Sequence, residues 1–257
     1  MDTHETRIAR WMQAQVEAAG CRGIVVGLSG GIDSAVVAGL AETATPGHVV
    51  GVILPCHSDP RDESDALAAA EHFNIPTIRI DLTQAYDRLL LDVRTAIAHL
   101  PETQPPVLVH EEVDPKARVP VANIKPRLRM TSLYFVANSL NYLVAGTGNR
   151  TELAIGYFTK YGDGGVDILP IGNLLKSEVR ALARDLRIPE PIIEKPPTAG
   201  LWQGQTDESE MGFTYAELEW YLKDGSAAVA PALAARIERM ARGSEHKRAL
   251  PPVFNGE

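Results

Sequence analysis

The chain has 257 residues, of which 45% are hydrophobic and 23% charged, with a formal net charge of -8. That length supports one domain with a sizeable core, and the acidic balance argues against a general surface for nucleic-acid backbones. No apolar run nears the ~20 residues needed to cross a bilayer, and Met1 to Arg10 is polar rather than signal-like, so a cytoplasmic protein without membrane or nucleic-acid partners is expected.

The chain opens with an amphipathic helix marked by Ile8, Trp11, Met12 and Val16 on one face. Ile24 to Leu28 is a short apolar run that reads as a buried parallel strand. Ser29-Gly30-Gly31-Ile32-Asp33-Ser34 breaks it, and a helix is expected from Ser34 to Thr43. Further strands are expected at Val49 to Leu54 and Thr77 to Ile80, with helices near Asp62 to Phe73 and Leu82 to His99. Residues 99–120 are Pro-rich and acidic, without periodicity, and read as a long mobile loop. A helix should follow from Val121 to Leu140, then a fourth strand at Tyr142 to Ala145. Thr147 to Gly165 holds five glycines and no helical pattern, and a fifth short strand is expected near Val166 to Leu169. Leu175, Val179, Leu182, Ala183 and Leu186 mark a helix. Residues 196–212 read as a second mobile loop, and helices resume near Tyr215 to Lys223 and Pro231 to Ala241. Strands alternating with helices imply a parallel sheet covered on both faces, in a single domain spanning 1–257.

Gly27-Leu28-Ser29-Gly30-Gly31-Ile32-Asp33-Ser34 sits between a strand and a helix. Its glycines let backbone N–H groups approach an anion, and the helix start adds free donors and a positive dipole end. Ser29 and Ser34 can donate to phosphate oxygens, and Asp33 is placed to hold a Mg²⁺ ion. The segment has neither the lysine-delivering nucleotide loop nor the dinucleotide fingerprint G-x-G-x-x-G. A glycine turn closing an ordinary strand-to-helix connection is the plainer alternative. Only two cysteines occur, Cys21 and Cys56, with no C-x-x-C pair, so reduced structural thiols are expected and zinc is not. Cys56 and His57 are adjacent in sequence, which does not make a nucleophile and base.

The residues S-G-G-x-D-S after a strand resemble the pyrophosphate-loop ATP enzymes, which cleave ATP between the α and β phosphates. The later segments narrow that resemblance. Gly146-Thr147-Gly148-Asn149-Arg150-Thr151-Glu152, Gly156-Tyr157-Phe158-Thr159-Lys160-Tyr161-Gly162-Asp163-Gly164-Gly165-Val166-Asp167 and Asn123-Ile124-Lys125-Pro126-Arg127-Leu128-Arg129-Met130 are similar to those of the NAD synthetases. So are Lys176, Lys195-Pro196-Pro197-Thr198-Ala199, Gln205-Thr206-Asp207-Glu208 and Glu245-His246-Lys247-Arg248. The resemblance covers nearly the whole chain.

It implies a doubly wound α/β fold of the adenine nucleotide hydrolase-like kind, with five parallel strands ordered 3-2-1-4-5. Strands one and four would then be neighbours, and their loops would open into one crevice. The resemblance makes Gly27, Leu28, Ser29, Gly30, Gly31, Ile32, Asp33 and Ser34 the pyrophosphate cradle, with Thr147, Lys176 and Thr198 as further ATP contacts. Asp33 and Glu152 become Mg²⁺ ligands, and these two with Lys176 carry the catalysis. Arg127, Lys160, Asp167, His246 and Lys247 become contacts to deamido-NAD. By residue type alone, Glu152 also reads as a helix-start acid, and most of the cations as solvated surface charges.

The implied activity is ATP-dependent amidation of deamido-NAD by ammonia, giving NAD, AMP and pyrophosphate through an adenylate, the last step of NAD formation. The synthetase pattern fills the chain, so free ammonia rather than glutamine is the expected nitrogen source. The resemblance also implies a homodimer with the deamido-NAD site at the interface. Pro126 and Gly200 depart from the family pattern, which leaves the entry to one helix and the loop after Thr198 open. A tRNA-thiolating relative would call for paired cysteines and a basic face, and a regulatory module without catalysis would call for damaged metal ligands. Neither feature is present.

Overall fold

The structure, a computed structural model, describes residues 3–100, 110, 115–202, 204–254 and 256. Four strands, β1 (Ile24–Gly27), β2 (Val49–Ile53), β3 (Thr77–Arg79) and β4 (Leu143–Ala145), form one sheet in the order β3-β2-β1-β4. All three pairings are parallel, with Ile24 opposite both Val49 and Leu143.

Side chains alternate across a strand, so β1 feeds two cores at once. Ile24 and Val26 pack with α1 (His4–Ala18), α2 (Ile32–Ala44), α3 (Pro60–His72), α8 (Lys176–Asp185) and α9 (Glu190–Ile193). Val25, with Val52 and Val144 beside it, faces α4 (Thr83–Ile97), α5 (Arg118–Ala122) and α6 (Ile124–Leu140). A slip of one residue would exchange the two faces, which fixes the register. A third apolar cluster joins α7 (Arg150–Ile155), α10 (Asp207–Met211), α11 (Tyr215–Asp224) and α12 (Pro231–Gly243) outside the sheet.

The expected fifth strand is not formed. Residues 166–169 reach the sheet through one isolated bridge, Ala145 to Ile168. The Val144 N–H, which a backbone carbonyl would otherwise accept, donates instead to the Asp167 carboxylate at 2.8 Å. A side chain thus takes one place in the ladder, and among the described residues the sheet has four strands rather than five.

The helix expected from Val121 to Leu140 is broken at Asn123 into α5 and α6. Pro126 lies in the first turn of α6, where it has no N–H for the Ala122 carbonyl and its ring would collide with that carbonyl in a continuous helix. Most of the loop expected at 99–120 lies outside the described residues. Its end is helical rather than irregular, with a 3₁₀ turn at Pro115–Ala117 leading into α5. Ala117 and Val121 are buried there.

Two further segments read as irregular also contain helices. α7 lies in the glycine-rich stretch, started by a capping box between Asn149 and Glu152 and stopped by Gly156 in the left-handed conformation. α10 lies within 196–212, capped by the Thr206 hydroxyl. α9 falls where no element is expected, and the other strands and α-helices lie within a few residues of their expected limits.

Candidate active site

β1 and β4 are neighbours, while β2 leads away on the other side of β1, so the sheet changes direction between β1 and β4. The loops leaving their carboxyl ends, 27–34 and 146–152, both line a cavity of about 890 Å³. A parallel sheet binds its ligands at such a point.

The first loop is held shut by its own serines. Ser29 N–H donates to Ser34 Oγ at 3.2 Å, Gly31 N–H donates to Ser29 Oγ at 3.3 Å, and Ser34 Oγ–H donates to the Gly31 carbonyl at 2.9 Å. Gly30 has φ +74°, and a Cβ there would lie 2.3 Å from the Asp62 carbonyl oxygen. Only glycine fits. Leu28 and Ile32 turn into the core, so their share in any ligand contact is through the backbone. α2 begins at Ile32 with no side-chain cap, leaving its first N–H groups facing the loop.

Asp33 stands in the first turn of α2, and Glu152 in the first turn of α7. The structure brings them together. Lys176, the first residue of α8, is 2% exposed, and its ammonium donates to Asp33 Oδ2 while lying 3.5 Å from Glu152 Oε1. Asn149 Nδ2 donates to Asp33 Oδ1 at 3.1 Å, and Asn149 Oδ1 accepts from Glu152 N–H at 3.1 Å. Glu152 is therefore both the helix-start acid of the plainer reading and a member of this cluster.

Two carboxylates share one ammonium, and the electrostatics follow. Glu152 is pushed up to about 8 by burial, with Asp33 adding to the rise and Lys176 opposing it. Burial alone would lower Lys176, but Asp33 and Glu152 outweigh it and hold the lysine well above its ordinary value. Two acids facing one ammonium in a buried place would leave one negative charge over if both ionised, and the raised Glu152 carboxyl offsets it by holding a proton. Such a site favours added positive charge, and its oxygen donors suit a hard cation.

Asp207 and Tyr215 extend the cluster. Tyr215 OH donates to Asp207 Oδ2 at 2.8 Å and lies 3.4 Å from Glu152 Oε1, and its ring is 5.2 Å from the Lys176 ammonium. Tyr157 OH lies 3.2 Å from Asp207 Oδ1 and 2.5 Å from Glu210 Oε2. Burial raises the Asp207 carboxyl above its usual range.

A second group of cations lines the same cavity. Lys247 Nζ donates to the carbonyls of Gly156 and Phe158 at 2.8 and 2.7 Å, Lys160 Nζ to the His246 carbonyl at 2.5 Å, and Arg127 Nη2 to the Lys160 carbonyl at 3.4 Å. Among the described residues, none of the three has a carboxylate within ion-pair distance. Cations held by neutral carbonyls keep their charge for a ligand. His246, Thr147 and Thr198 also line the cavity. Asp167 does not: its carboxylate accepts from Tyr134 OH at 2.9 Å and from Val144 N–H, at the edge of β4. Gly200, the other departure from the family pattern, has φ +61°, which glycine adopts without strain.

Sequence reasoning passed over Asn149, Tyr157, Asp207, Glu210 and Tyr215. Asn149 had a signal, because N-x-x-E is a capping spacing. Asp207 stood in a matched segment without a role. The tyrosines carried none, since their residue type gives no hint of which hydroxyls converge. Arg129 and Lys195 were also unassigned. Arg129 donates to the Leu54 carbonyl at 3.1 Å and to Ser58 Oγ at 3.3 Å, beside the cavity. Lys195 ties the 196–202 segment to α3 through Asp62 and Asp65 at 2.8 and 2.5 Å.

A parallel α/β sheet with a glycine-serine loop and a bare helix start at its switch point defines the class of nucleotide-binding folds, and a buried carboxylate cluster with shifted ionisation beside that loop is what active sites collect. Comparison with known proteins narrows the class. The family described as NAD synthase matches residues 5–251. An NH(3)-dependent NAD(+) synthetase of Carboxydothermus hydrogenoformans is 50% identical over 96% of this chain and 95% of its own. Among solved structures, an NMN synthetase from Francisella tularensis has a TM-score of 0.85 at 38% identity, covering 98% of this chain and 97% of its own. An NH3-dependent NAD synthetase from Campylobacter jejuni, in complex with the nitrate ion, has a TM-score of 0.76 at 28% identity, covering 98% of each chain. The chain belongs to the NAD synthase family.

Proposed function

We propose that this protein makes NAD by ATP-dependent amidation of deamido-NAD with ammonia, the last step of NAD formation. The observation that carries the reading is the Lys176 ammonium set between Asp33 and Glu152 where the β1 and β4 loops meet. The nicotinic acid carboxylate attacks the α-phosphorus of ATP, forming an O–P bond and releasing pyrophosphate. Ammonia then attacks the carbonyl of that adenylate, the C–O bond breaks as AMP leaves with its electron pair, and the nitrogen releases one proton to leave the neutral carboxamide.

Gly27 to Ser34 cradle the departing pyrophosphate with backbone N–H groups, and Ser29 and Ser34 add hydroxyls. Thr147, Lys176 and Thr198 complete the ATP contacts. Arg127, Lys160, His246 and Lys247 hold the dinucleotide's two phosphates, and Asp167, outside the cavity wall, serves by anchoring residues 166–169 to β4. Asp207 and Glu210 draw ammonium by their charge, and Asp207, with its raised carboxyl, accepts the proton that ammonium must lose to become a nucleophile. No covalent nucleophile is needed, because AMP is the leaving group. The work is positioning and charge stabilisation.

Asp33 and Glu152 are the ligands we assign to Mg²⁺. They fit it: both are oxygen donors, they converge on one point already occupied by a positive charge, and a cation there would take the place of the proton that Glu152 holds. The ion, when bound, would screen the negative oxygens of the triphosphate.

A homodimer also belongs to this reading. The exposed face of α6 carries Arg127, Thr131 and Phe135 at four-residue spacing, and Phe135 is 75% exposed. A second copy covering Phe135 would bring its surface beside Arg127 and so beside deamido-NAD. Cys21 and Cys56 are free thiols, in keeping with a cytoplasmic setting.

A second reading concerns the length of the acid. The Francisella tularensis structure is an NMN synthetase and matches this chain at 38% identity, so the mononucleotide acid is the natural competitor. The test mixes the pure chain with ATP, Mg²⁺ and ammonium, and offers deamido-NAD or its mononucleotide counterpart in separate reactions. NAD, AMP and pyrophosphate formed together from the dinucleotide, at the higher kcat/KM, is the expected result. Preference for the mononucleotide would establish the second reading, and turnover of neither would sink both.

A further inference from the structure

We propose that Glu219 is a positioning residue: from α11 it caps the start of α8 and so sets the Lys176 ammonium between Asp33 and Glu152. The proposal rests on the role given to Lys176 above.

α8 has no N-cap side chain to receive its first N–H groups. Its N-cap residue is Leu175, whose side chain carries no acceptor, where Ser, Thr, Asp or Asn would ordinarily receive the first N–H groups. Three of the N–H groups there are met in another way. The Leu175 N–H donates to the Glu178 carboxylate at 2.7 Å, and the Lys176 N–H donates to Thr151 Oγ1 at 3.0 Å. The Ser177 N–H donates to Glu219 Oε1 at 2.7 Å, and the Ser177 hydroxyl donates to Glu219 Oε2 at 2.5 Å. Glu219 is 6% exposed, so a buried carboxylate from a different helix directs both its oxygens at the residue next to Lys176. Lys223, one turn on, lies 3.6 Å from Glu219 Oε2 and leaves it partly compensated.

The same helix also touches the far end of the lysine. Tyr215 precedes Glu219 by one turn, and its ring stands 5.2 Å from the Lys176 ammonium. α11 therefore fixes the root of Lys176 through Ser177 and its tip through Tyr215. A lysine stem is flexible and gains direction only from what surrounds it. Charge-assisted bonds at a helix start are strong enough to set that direction, and a catalytic group displaced by an ångström loses about 10² in rate.

The test uses the full chain with ATP, Mg²⁺, ammonium and deamido-NAD, following NAD and pyrophosphate, with melting temperature measured beside the kinetics. Glu219→Ala should lower kcat by about tenfold to a hundredfold while KM for deamido-NAD stays within about twofold. Glu219→Gln should recover most of the rate, because its amide still accepts from Ser177 N–H and can donate to the hydroxyl. Ser177→Ala added to Glu219→Ala should cause no further loss, since the partner is already gone. Wild-type kcat in Glu219→Ala overturns the proposal, as does a rise in KM alone, or equal impairment by Ala and Gln. Should Glu219→Ala fail to fold, Ser177→Ala decides: a lower kcat at an unchanged melting temperature is expected, and an unchanged kcat overturns the proposal. Lys176→Met separates the two readings. If it turns over normally, the role given to the lysine fails; if it is inactive while Glu219→Ala is normal, only the positioning role fails.

Discussion

Asn149 donates its side-chain amide to Asp33 across 3.1 Å, joining residues 116 positions apart at the ends of two adjacent strands. The same side chain accepts the Glu152 N–H and so caps α7. One residue thus orients one acid by hydrogen bonding and the other by starting its helix. Asn149→Ala should lower stability by about 1 kcal/mol, the usual value for a lost cap, and lower kcat as well because both acids lose their reference. Thermal melting and NAD formation check the two effects. Unchanged turnover would show that neither acid depends on it.

Gly30→Ala places a Cβ 2.3 Å from the Asp62 carbonyl oxygen at a residue whose φ is +74°. Backbone strain of this kind costs about 1–3 kcal/mol, and relief requires α3 or the loop to move. KM for ATP should rise more than KM for deamido-NAD. Equal changes in both would show that the loop does not hold the triphosphate.

Asp33→Asn and Glu152→Gln each remove an acid from the cluster around Lys176 while keeping its shape. Each should reduce kcat by about 10²–10³, the scale of losing one preorganised electrostatic contact. Circular dichroism should report an intact fold. A variant that keeps wild-type turnover would exclude its acid from the reacting site.

Glu152 ionises at about 8 in the folded chain, against an ordinary value of 4.5, because it is buried and faces Asp33. Between those values the folded state keeps a proton that the unfolded state has released. Its contribution to stability is therefore fully present below 4.5 and is lost as pH rises through 8. With a chelator present, the melting temperature should fall over that window, and added Mg²⁺ should restore more of it at the alkaline end, where the ion no longer competes with the proton. A Mg²⁺ effect that shrinks as pH rises would argue against Glu152 as a ligand.

Phe135→Asp puts a charge at the centre of the exposed α6 face. Native protein should sediment at twice the 27.8 kDa chain mass, and the variant at the chain mass itself. KM for deamido-NAD should rise in the variant, because Arg127 lies two turns away on the same face. A native monomer would remove the homodimer from the proposal.

Features set by neighbouring residues are legible in the chain. Apolar runs of strand length, glycines after β1 and helical periodicity gave the alternating layout. The resemblance to the NAD synthetases, rather than any local pattern, marks Glu152 and Lys176 as partners of Asp33. Local pattern fails where a distant group competes with it. The fifth strand was displaced because the Asp167 carboxylate takes the Val144 N–H, and the helix before β4 was divided because Pro126 cannot complete a turn with Ala122. α7 looked irregular because glycines flank a capping box that only two residues specify. Which hydroxyls and carboxylates meet depends on helix packing. Tyr215, Asp207 and Glu219 come from helices outside the sheet, and their approach to Lys176 depends on how α11 packs beside α7 and α8, a long-range relation that no periodicity in the chain encodes.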